Sequence, residues 1–297
     1  MNNHWIAVDW GTTNFRAFLI NHDEIKERLS APLGLLQVTD RQFATTLQSL
    51  LGEWLTKHDK LPILMAGMVG SQQGWAEVPY VTLPAHAGDF ATHTAEVATP
   101  WGSRCHIVAG ATCESEWGFP DVMRGEEVQL LGLAERHPAA THRVILPGTH
   151  SKHARLRDGK LIDFCTFMTG EFYATLINHS LLGKDLPSCE HDDTAFDLGV
   201  ANSKNTPFLS HAIFSARTLR LSGAITPAQV SSYLSGLLIG SEMAALDTDN
   251  AWVVGSPALT LSYQRAARHF GIPLHAADGS DCFVQGLSQI YHSGVFA

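Results

Sequence analysis

An apolar stretch that ends in a carboxylate opens the chain. Residues 5–20, WIAVDWGTTNFRAFLI, have the pattern of a buried strand, a turn of small polar residues at 11–14 and a second, alternating strand. Asp9 stands where the first strand would ordinarily carry another apolar side chain. Turns of this kind can bind phosphate through their backbone N–H groups. An ordinary tight hairpin, in which the aspartate bonds turn amides, explains this stretch equally well.

Apolar spacing predicts alternating strands and helices through the first half of the chain. Residues 72–99 interrupt them, because their prolines, glycines and histidines are typical of a loop, and we expect a cap or lid insertion here. Pro138 ends the last helix of this half. The other predicted elements are a strand at 25–31, an amphipathic helix at 40–57, a buried strand with a Gly-rich turn at 61–71, a strand at 105–110 and a helix within 123–137.

The second half begins with the same architecture as the first. Residues 143–156, RVILPGTHSKHARL, again have the pattern of strand, small polar turn and strand, and Asp158-Gly159 predicts a tight turn into a third strand. Both halves then continue with helices, so we expect two related α/β domains, residues 1–139 and 140–297. The remaining predictions are helices at 170–183, 194–202, 207–220 and from Thr226, a strand, turn and helix over 251–271, a strand at 274–278 and a helix from near Asp281.

Composition narrows the range of partners. The chain has 297 residues, enough for two domains, and a formal net charge of −9 with dispersed lysines and arginines. This balance argues against a nucleic-acid or anionic-membrane surface, although one local basic pocket is compatible with it. Five separated cysteines without a CxxC pair indicate reduced thiols. Neither a signal peptide nor a membrane span is indicated, so we expect a cytoplasmic protein. Whether it is a monomer or a homodimer stays open.

Three turns are candidate phosphate sites. Neither GxxxxGK[ST] nor GxGxxG occurs in the sequence, so a nucleotide would have to bind by another geometry. Two facing turns, at 11–14 and 147–152, can hold a polyphosphate between them. The Gly255-Ser256 turn precedes a predicted helix, whose N-terminus adds partial positive charge. Each turn is a weak signal alone, but their ordered combination favours a nucleotide site.

Carboxylates for phosphoryl transfer are also present. This chemistry needs Mg²⁺ and a base aligned on the acceptor hydroxyl. Asp9 is placed to hold hydrated Mg²⁺, an ion that favours one or two carboxylates and keeps its waters. Glu126 and Glu127 stand at a predicted helix start and are candidates for the base. Simple capping charge at a helix N-terminus also explains this pair.

The motifs together resemble a known group. DWGTTNFR, GEEVQLLG, ILPGTHSK and VVGSPALT, in this order, look like the phosphate-1, catalytic-carboxylate, phosphate-2 and adenosine motifs of the actin, hexokinase and Hsp70 superfamily. With MAGMVGS, MRGEE, PGTHSK, TGE and SGLLIGSE, essentially the full length is similar to the 2-dehydro-3-deoxygalactonokinase family. The resemblance implies an α/β protein of the actin-like ATPase fold, with two ribonuclease H-like domains flanking an interdomain cleft. It also implies ATP- and Mg²⁺-dependent phosphorylation of a small sugar acid, 2-dehydro-3-deoxy-D-galactonate, on its 6-hydroxyl, in galactonate catabolism.

Roles for individual residues follow from the resemblance. Asp9 would hold Mg²⁺, and Glu126 is the first choice for the base with Glu127 second, because Gly125-Glu126 matches the Gly-Asp of related sugar kinases. Pro147 replaces an aspartate common in the phosphate-2 motif. The other implied contacts are Gly11, Thr12, Thr13, Asn14, Gly148 and Thr149 with phosphate, Gly255 and Ser256 with adenosine, and Gly67, Met68, Val69, Gly70, Arg124 and Glu171 with the sugar acid.

Alternatives remain at the level of residues and of function. Arg124 is expected to contact a carboxylate or a phosphate. Capping of a helix explains Glu171 more simply than a substrate contact, and residues 67–70 also fit a buried strand end. The protein could instead phosphorylate another sugar acid, such as 2-dehydro-3-deoxygluconate, or bind a nucleotide or sugar acid as a regulator without catalysis.

Overall fold

The computed structural model describes residues 4–188, 190–205 and 208–296. The predicted helix start at residue 207 and the Cys189 thiol lie outside these ranges. In the first half the elements are β1 (His4–Trp10), β2 (Phe15–Asn21), β3 (Glu24–Ala31), α1 (Phe43–Lys57), β4 (Ile63–Ala66), β5 (Val81–Thr82), α2 (Ala87–Thr92), β6 (Thr94–Val97), β7 (Cys105–Val108), β8 (Ala111–Glu114), β9 (Pro120–Met123) and α3 (Glu126–Arg136).

The second half continues the alternation of strands and helices. Its elements are β10 (Thr141–Leu146), β11 (Ser151–Arg157), β12 (Lys160–Phe167), α4 (Thr169–His179), α5 (Asp193–Lys204), α6 (Leu209–Leu221), α7 (Val230–Met243), β13 (Ala251–Gly255), α8 (Pro257–Phe270), β14 (Leu274–Asp278) and α9 (Gly279–Ile290).

The first sheet is organised around β1. Its six strands have the order β3-β2-β1-β4-β7-β6. The first three strands form the predicted antiparallel meander, whereas β4 runs parallel to β1 and β7 runs parallel to β4. The alternation that predicts β1 and β2 reflects a buried sheet, because Ile6, Val8 and Phe15 are fully buried.

The prediction of a loop-like cap over residues 72–99 is wrong for the second part of that range. Here α2 is followed by β6, which pairs antiparallel with β7 at the edge of the six-stranded sheet. Two more short strands, β8 and β9, form a hairpin that no pattern predicts, and with β5 they make a separate three-stranded sheet. These strands have two to four residues and mix polar with apolar positions, whereas the equally short β4 and β7 are continuous buried runs that the sequence does predict.

The second sheet repeats the strand order of the first. Its five strands follow β12-β11-β10-β13-β14, with β10 parallel to β13 and β13 parallel to β14. The predicted hairpin turn between β11 and β12 is confirmed, since Asp158 and Gly159 have φ angles of 49° and 73°, in the left-handed region that such turns need. The repeat inferred from the two opening stretches is therefore present in the sheets.

The chain divides into two compact units. The first extends to His142 and resumes at Ala154–Phe164 and from Gly279 onward, and the second comprises Arg143–His153 and Cys165–Asp278. The division into domains at residues 1–139 and 140–297 stays a prediction. None of the helices in the described ranges has the length and hydrophobicity needed to cross a bilayer.

Each unit contains a helix pair in close backbone contact. In the first unit α3 packs against α9, and a Cβ at Gly132 would lie 1.8 Å from the Cys282 carbonyl oxygen. In the second unit α5 packs against α7, and a Cβ at Gly236 would lie 2.0 Å from the Phe196 carbonyl oxygen. Glycine is required at these crossings because any side chain would push the helices apart.

Candidate active site

Asp9 and Arg16 form a cross-strand ion pair at the end of β1. The two residues are register partners, and Arg16 donates from Nε (3.1 Å) and from Nη2 to Oδ2 of Asp9. The third guanidinium nitrogen of Arg16 donates to the Ser280 hydroxyl at 3.1 Å. In the described part of the chain, no hydrogen bond reaches Oδ1 of Asp9. One carboxylate oxygen therefore remains available as a ligand.

A single available carboxylate oxygen matches the way Mg²⁺ binds proteins. This ion commonly takes one or two carboxylates, with water and substrate phosphates as the other ligands. Within residues 4–188, 190–205 and 208–296, no group of three or more His, Cys, Asp or Glu side chains could hold a metal ion. The donor set at Asp9 fits hydrated Mg²⁺, and it does not fit a metal that requires a full protein cage.

The turn at residues 11–14 is held in place from outside the hairpin. The carbonyl oxygens of Gly11, Thr12 and Thr13 accept hydrogen bonds from the backbone N–H groups of residues 35, 36 and 34, respectively. Gly34 is essential to this contact, because a Cβ there would lie 2.4 Å from Thr12. The side chains of residues 12–14 are exposed. The turn is thus fixed through its carbonyls and presents short polar side chains outward.

Two glycines bring the predicted substrate turn and the start of α3 against the end of β1. Gly67 has φ +98°, and a Cβ there would lie 2.9 Å from the Trp10 carbonyl oxygen and 3.3 Å from Oδ1 of Asp9. Gly125, with φ +109°, would place a Cβ 3.3 Å from Cα of Gly67. Both φ values lie in the region that favours glycine. The first unit therefore gathers Asp9, the 67–70 turn and the RGEE motif.

The two candidate bases have different environments. Glu126 is half-buried, and its Oε2 accepts a hydrogen bond from the Arg124 backbone N–H at 3.0 Å. Glu127 is fully buried, and both of its carboxylate oxygens accept from the Gly125 N–H, at 2.9 and 2.7 Å. Burial, and to a lesser extent the charge of Glu126, raises the pKa of the Glu127 carboxyl to about 8. Only Glu126 combines a carboxylate with access to solvent.

Arg124 has buried guanidinium N–H groups that lack partners. Its Nη2 donates to the Val78 carbonyl oxygen at 2.8 Å, and its guanidinium lies 4.4 Å from the centre of the Tyr80 ring. Nε and Nη1 are buried without a hydrogen-bond partner in the described residues, and so is the hydroxyl of Ser71. A Cβ at Gly70 would lie 3.0 Å from Nη1. Buried unpaired donors are costly, so Arg124 is a candidate for binding an anion.

The predicted substrate turn contributes to this site mainly through its backbone. Val69 is fully buried and Met68 is half-buried. The absence of a side chain at Gly70 leaves room for the guanidinium of Arg124. Ser71 is the last residue of the MAGMVGS motif, but the sequence gives it no role of its own. Its unpaired hydroxyl in the folded chain makes it a candidate.

In the second unit the turn at residues 147–152 lies against the start of α4. The Glu171 N–H donates to the Thr149 carbonyl oxygen at 2.9 Å, and the Glu171 carboxylate lies 2.5 Å from Nε2 of His150. A Cβ at Gly170 would lie 2.3 Å from the Gly148 carbonyl oxygen. Glu171 therefore belongs to the surroundings of the predicted phosphate turn, whereas the other predicted sugar-acid residues lie in the first unit.

The end of β13 reaches the same turn. Because β10 and β13 are parallel neighbours, their carboxyl ends meet at one edge of the sheet. A Cβ at Gly255 would lie 3.5 Å from Cδ of Pro147. Ser256 is exposed at the N-cap of α8 and makes no side-chain capping hydrogen bond. The predicted phosphate residues Gly148 and Thr149 and the predicted adenosine residues are thus neighbours in the second unit.

The chain is similar to known proteins along nearly its whole length. The family model described as 2-keto-3-deoxy-galactonokinase matches residues 9–290. The 2-dehydro-3-deoxygalactonokinase of Escherichia coli (strain K12) is 35% identical over 298 residues, which cover 99% of each chain. A crystal structure from Sinorhizobium meliloti, provisionally named a 2-dehydro-3-deoxygalactonokinase, is 32% identical with a TM-score of 0.89 and covers 97% of this chain and 98% of that one.

A more distant structure bears on the fold alone. The activator of the 2-hydroxyisocaproyl-CoA dehydratase from Clostridium difficile, solved with bound ADPNP, is 12% identical, has a TM-score of 0.51 and covers 98% of this chain and 95% of that one. With the repeated sheet order, these similarities confirm the predicted α/β architecture of the actin-like ATPase fold.

Proposed function

The chain belongs to the 2-keto-3-deoxy-galactonokinase family, and from this premise we propose that it transfers the γ-phosphate of ATP to the 6-hydroxyl of 2-dehydro-3-deoxy-D-galactonate. The product is the 6-phosphate, formed as a step of galactonate catabolism. The observation that carries the proposal is the set of unpaired buried donors at Arg124 and Ser71. Arg124 stands two residues before Glu126 in the sequence.

The Arg124 site accounts for a substrate that is an acid. The carboxylate at C1 accepts hydrogen bonds from Nη1 of Arg124 and from the Ser71 hydroxyl, two of the three unpaired donors. The far hydroxyl of the six-carbon acid is then the group presented to Glu126.

Glu126 is the proposed general base. It accepts the proton of the 6-hydroxyl while that oxygen forms a bond to the γ-phosphorus and the bond from phosphorus to the β-phosphate oxygen breaks, which releases ADP. Such a base contributes on the order of 10² to 10⁴ in rate. Glu127 is buried with both oxygens bonded to the Gly125 N–H, so its part is to fix the start of α3.

The remaining predicted residues hold the nucleotide. Residues 11–14 and residues Gly148 and Thr149 are the proposed contacts of the ATP phosphates, and Gly255 and Ser256 those of adenosine. Mg²⁺, when bound, offsets negative charge on the phosphates, and Oδ1 of Asp9 is the oxygen that would hold it directly or through water. The Arg16 ion pair keeps the Asp9 carboxylate oriented.

Removing the Arg124 guanidinium tests the carboxylate contact. We expect Arg124→Ala to raise KM for the sugar acid on the order of tenfold or more, because charge-assisted hydrogen bonds are lost. KM for the uncharged C1 amide of the same compound should differ much less between the variant and the parent enzyme. The measurement is kcat and KM with both compounds. Equal losses for acid and amide would show that Arg124 acts only through packing.

A matched arginine provides the control. Arg104 also lies over an aromatic ring, 5.4 Å from the centre of Phe296, and donates to a backbone carbonyl oxygen. Arg104→Ala should therefore leave the ratio of acid to amide unchanged. A panel of ketodeoxy acids assayed with ATP decides between epimers, and preference for 2-dehydro-3-deoxygluconate would select the alternative substrate. Absence of ADP release with every acid would indicate a binding protein.

A further inference from the structure

A buried carboxylate in the second unit collects hydrogen bonds from separate elements. Glu242 on α7 is 3% exposed. Its oxygens accept from the Ser151 hydroxyl at 2.6 Å, the Tyr263 hydroxyl at 2.7 Å and the Thr169 hydroxyl, and lie 2.9 Å from Nε2 of His153. Because an ionised carboxylate only accepts hydrogen bonds, Nε2 carries the proton.

Two of the four donors belong to the segments that fix the turn at residues 147–152. Ser151 begins β11 at the end of this turn, and Thr169 begins α4, which packs against it. The residue after Thr169 leaves no space for a Cβ next to the Gly148 carbonyl oxygen, and the N–H of Glu171 binds the Thr149 carbonyl oxygen. Glu242 therefore connects both segments that determine the position of Gly148 and Thr149.

Stability alone is a weak reason to bury this carboxylate. Burial acts to raise the pKa of Glu242, but the hydrogen bonds from His153, Ser151 and Thr169 and the charge of His153 lower it below its ordinary value. A buried charge of this kind often contributes less to stability than well-packed apolar side chains would. What it does supply is a fixed geometry, since its two oxygens accept from four side chains on three separate elements.

On the proposed function, in which Gly148 and Thr149 contact the ATP phosphates, we propose that Glu242 is a positioning residue for ATP. It holds Ser151 and Thr169 at fixed positions, and through them the turn that presents the phosphate contacts. It touches neither ATP nor the sugar acid. The consequence is that its loss weakens ATP binding more than it weakens binding of the sugar acid.

Glu242→Gln is the direct test. Glutamine has the same size, but its amide NH₂ is a donor and faces the hydroxyl and imidazole donors that the carboxylate accepts from. We expect the Kd for ATP, measured by calorimetry on the full chain, to rise on the order of tenfold. KM for the sugar acid at saturating ATP should change less than about threefold on the same reasoning.

Two single-donor variants separate positioning from stability. Thr169→Val and Tyr263→Phe each remove one hydrogen bond to the same Oε2 atom. Tyr263→Phe also removes a long contact of 3.4 Å with the Ser151 hydroxyl, but of the two residues only Thr169 belongs to a segment that flanks the turn. Thr169→Val should therefore weaken ATP binding, whereas Tyr263→Phe should change it much less at a similar loss of unfolding temperature. These two variants still test the positioning role if Glu242→Gln does not fold.

A control elsewhere in the second unit measures the effect of destabilisation. Asp197 on α5 accepts hydrogen bonds from Arg265 and His269, two residues of α8 that lie outside the turn. Asp197→Asn should lower stability and leave the Kd for ATP unchanged.

Each other outcome contradicts the proposal in a recognisable way. Unchanged ATP affinity in Glu242→Gln, or equal losses in Thr169→Val and Tyr263→Phe, would overturn the positioning role while leaving the kinase assignment intact. If the parent protein itself does not bind ATP, the proposed function fails, and the role of Glu242 fails with it.

Discussion

Two neighbouring glutamates at the start of α3 differ in what they can do. Glu126 is half-buried, and its Oε2 accepts a hydrogen bond from the Arg124 backbone N–H, so its carboxylate is partly accessible to a substrate. Glu127 is fully buried and its raised pKa, about 8, favours the neutral acid at pH 7. Glu127 therefore has a structural role, in which its neutral carboxyl accepts a hydrogen bond from the Gly125 N–H.

Exchange of each glutamate for glutamine should separate these roles. We expect Glu126→Gln to lower kcat at least roughly tenfold while ATP still binds, because the base is lost and the shape is kept. Glu127→Gln should retain most activity, since glutamine resembles the protonated acid. Steady-state kinetics with ATP calorimetry is the measurement. An inactive Glu127→Gln beside an active Glu126→Gln would move the base one residue along.

Glu127 should also make stability depend on pH. Its pKa is about 8 in the folded chain and 4.5 for an ordinary glutamate, so the folded state binds more protons between these values. Its contribution is fully present below pH 4.5 and is lost as the pH rises through 8. Glu127→Gln removes this dependence and should gain stability relative to the parent between about pH 5 and 8, by up to about 1.4 kcal/mol per pH unit. Urea unfolding across this range measures it, and parallel pH profiles would contradict it.

Candidate site residues can be predicted from the sequence where the local pattern is unusual. Asp9 in a strand, the glycines of the MAGMVGS turn and the glutamate pair all stand out in the sequence, and the fold brings them together. Ser71 and Glu242 could not be identified as candidates. Their significance depends on partners, or on the lack of them, at positions far away in sequence, and no local pattern contains that information.

At the scale of elements, repetition or a continuous apolar run decides which elements the sequence predicts. The predicted meander and the long helices were recognisable because several turns or alternations repeat in each. The strands β5, β6, β8 and β9 have two to four residues, and their neighbours in the sheets supply most of their order. Strand order itself was not predicted from spacing, since pairing between distant strands depends on the packing of the whole sheet.

Glycines set the distances between elements in the first unit. Gly67 and Gly125 let the ends of β1 and β4 and the start of α3 meet, and Gly132 does the same for α3 and α9. The base candidate is thus attached to a helix that is fixed at its beginning and along its length. Such a support keeps a carboxylate within the narrow range of positions that proton transfer needs.

At the scale of the whole molecule, ligands should stabilise the folded chain by mass action. A ligand at 100 times its Kd contributes about 2.7 kcal/mol. We expect ATP with Mg²⁺ to raise the unfolding temperature more than ATP with a chelator. In Asp9→Asn this additional Mg²⁺ effect should disappear, because the variant lacks the carboxylate charge. Its ligand-free unfolding temperature should change little, since the asparagine oxygen can still accept from Arg16.

Thermal unfolding and turnover at a series of Mg²⁺ concentrations measure this prediction. Turnover of Asp9→Asn should fall far more than its stability falls. Retention of the full Mg²⁺-dependent increase in Asp9→Asn would show that another group holds the metal.

The return of the chain to the first unit at Gly279 has a consequence for biosynthesis. α9 completes the packing of α3, yet it leaves the ribosome only after Cys165–Asp278 of the second unit have been made. A nascent chain therefore carries Asp9 and Glu126 in an unfinished unit while almost all of the other unit is already available to fold. The first unit can therefore complete the packing of α3 only after nearly all of the second unit has been synthesised.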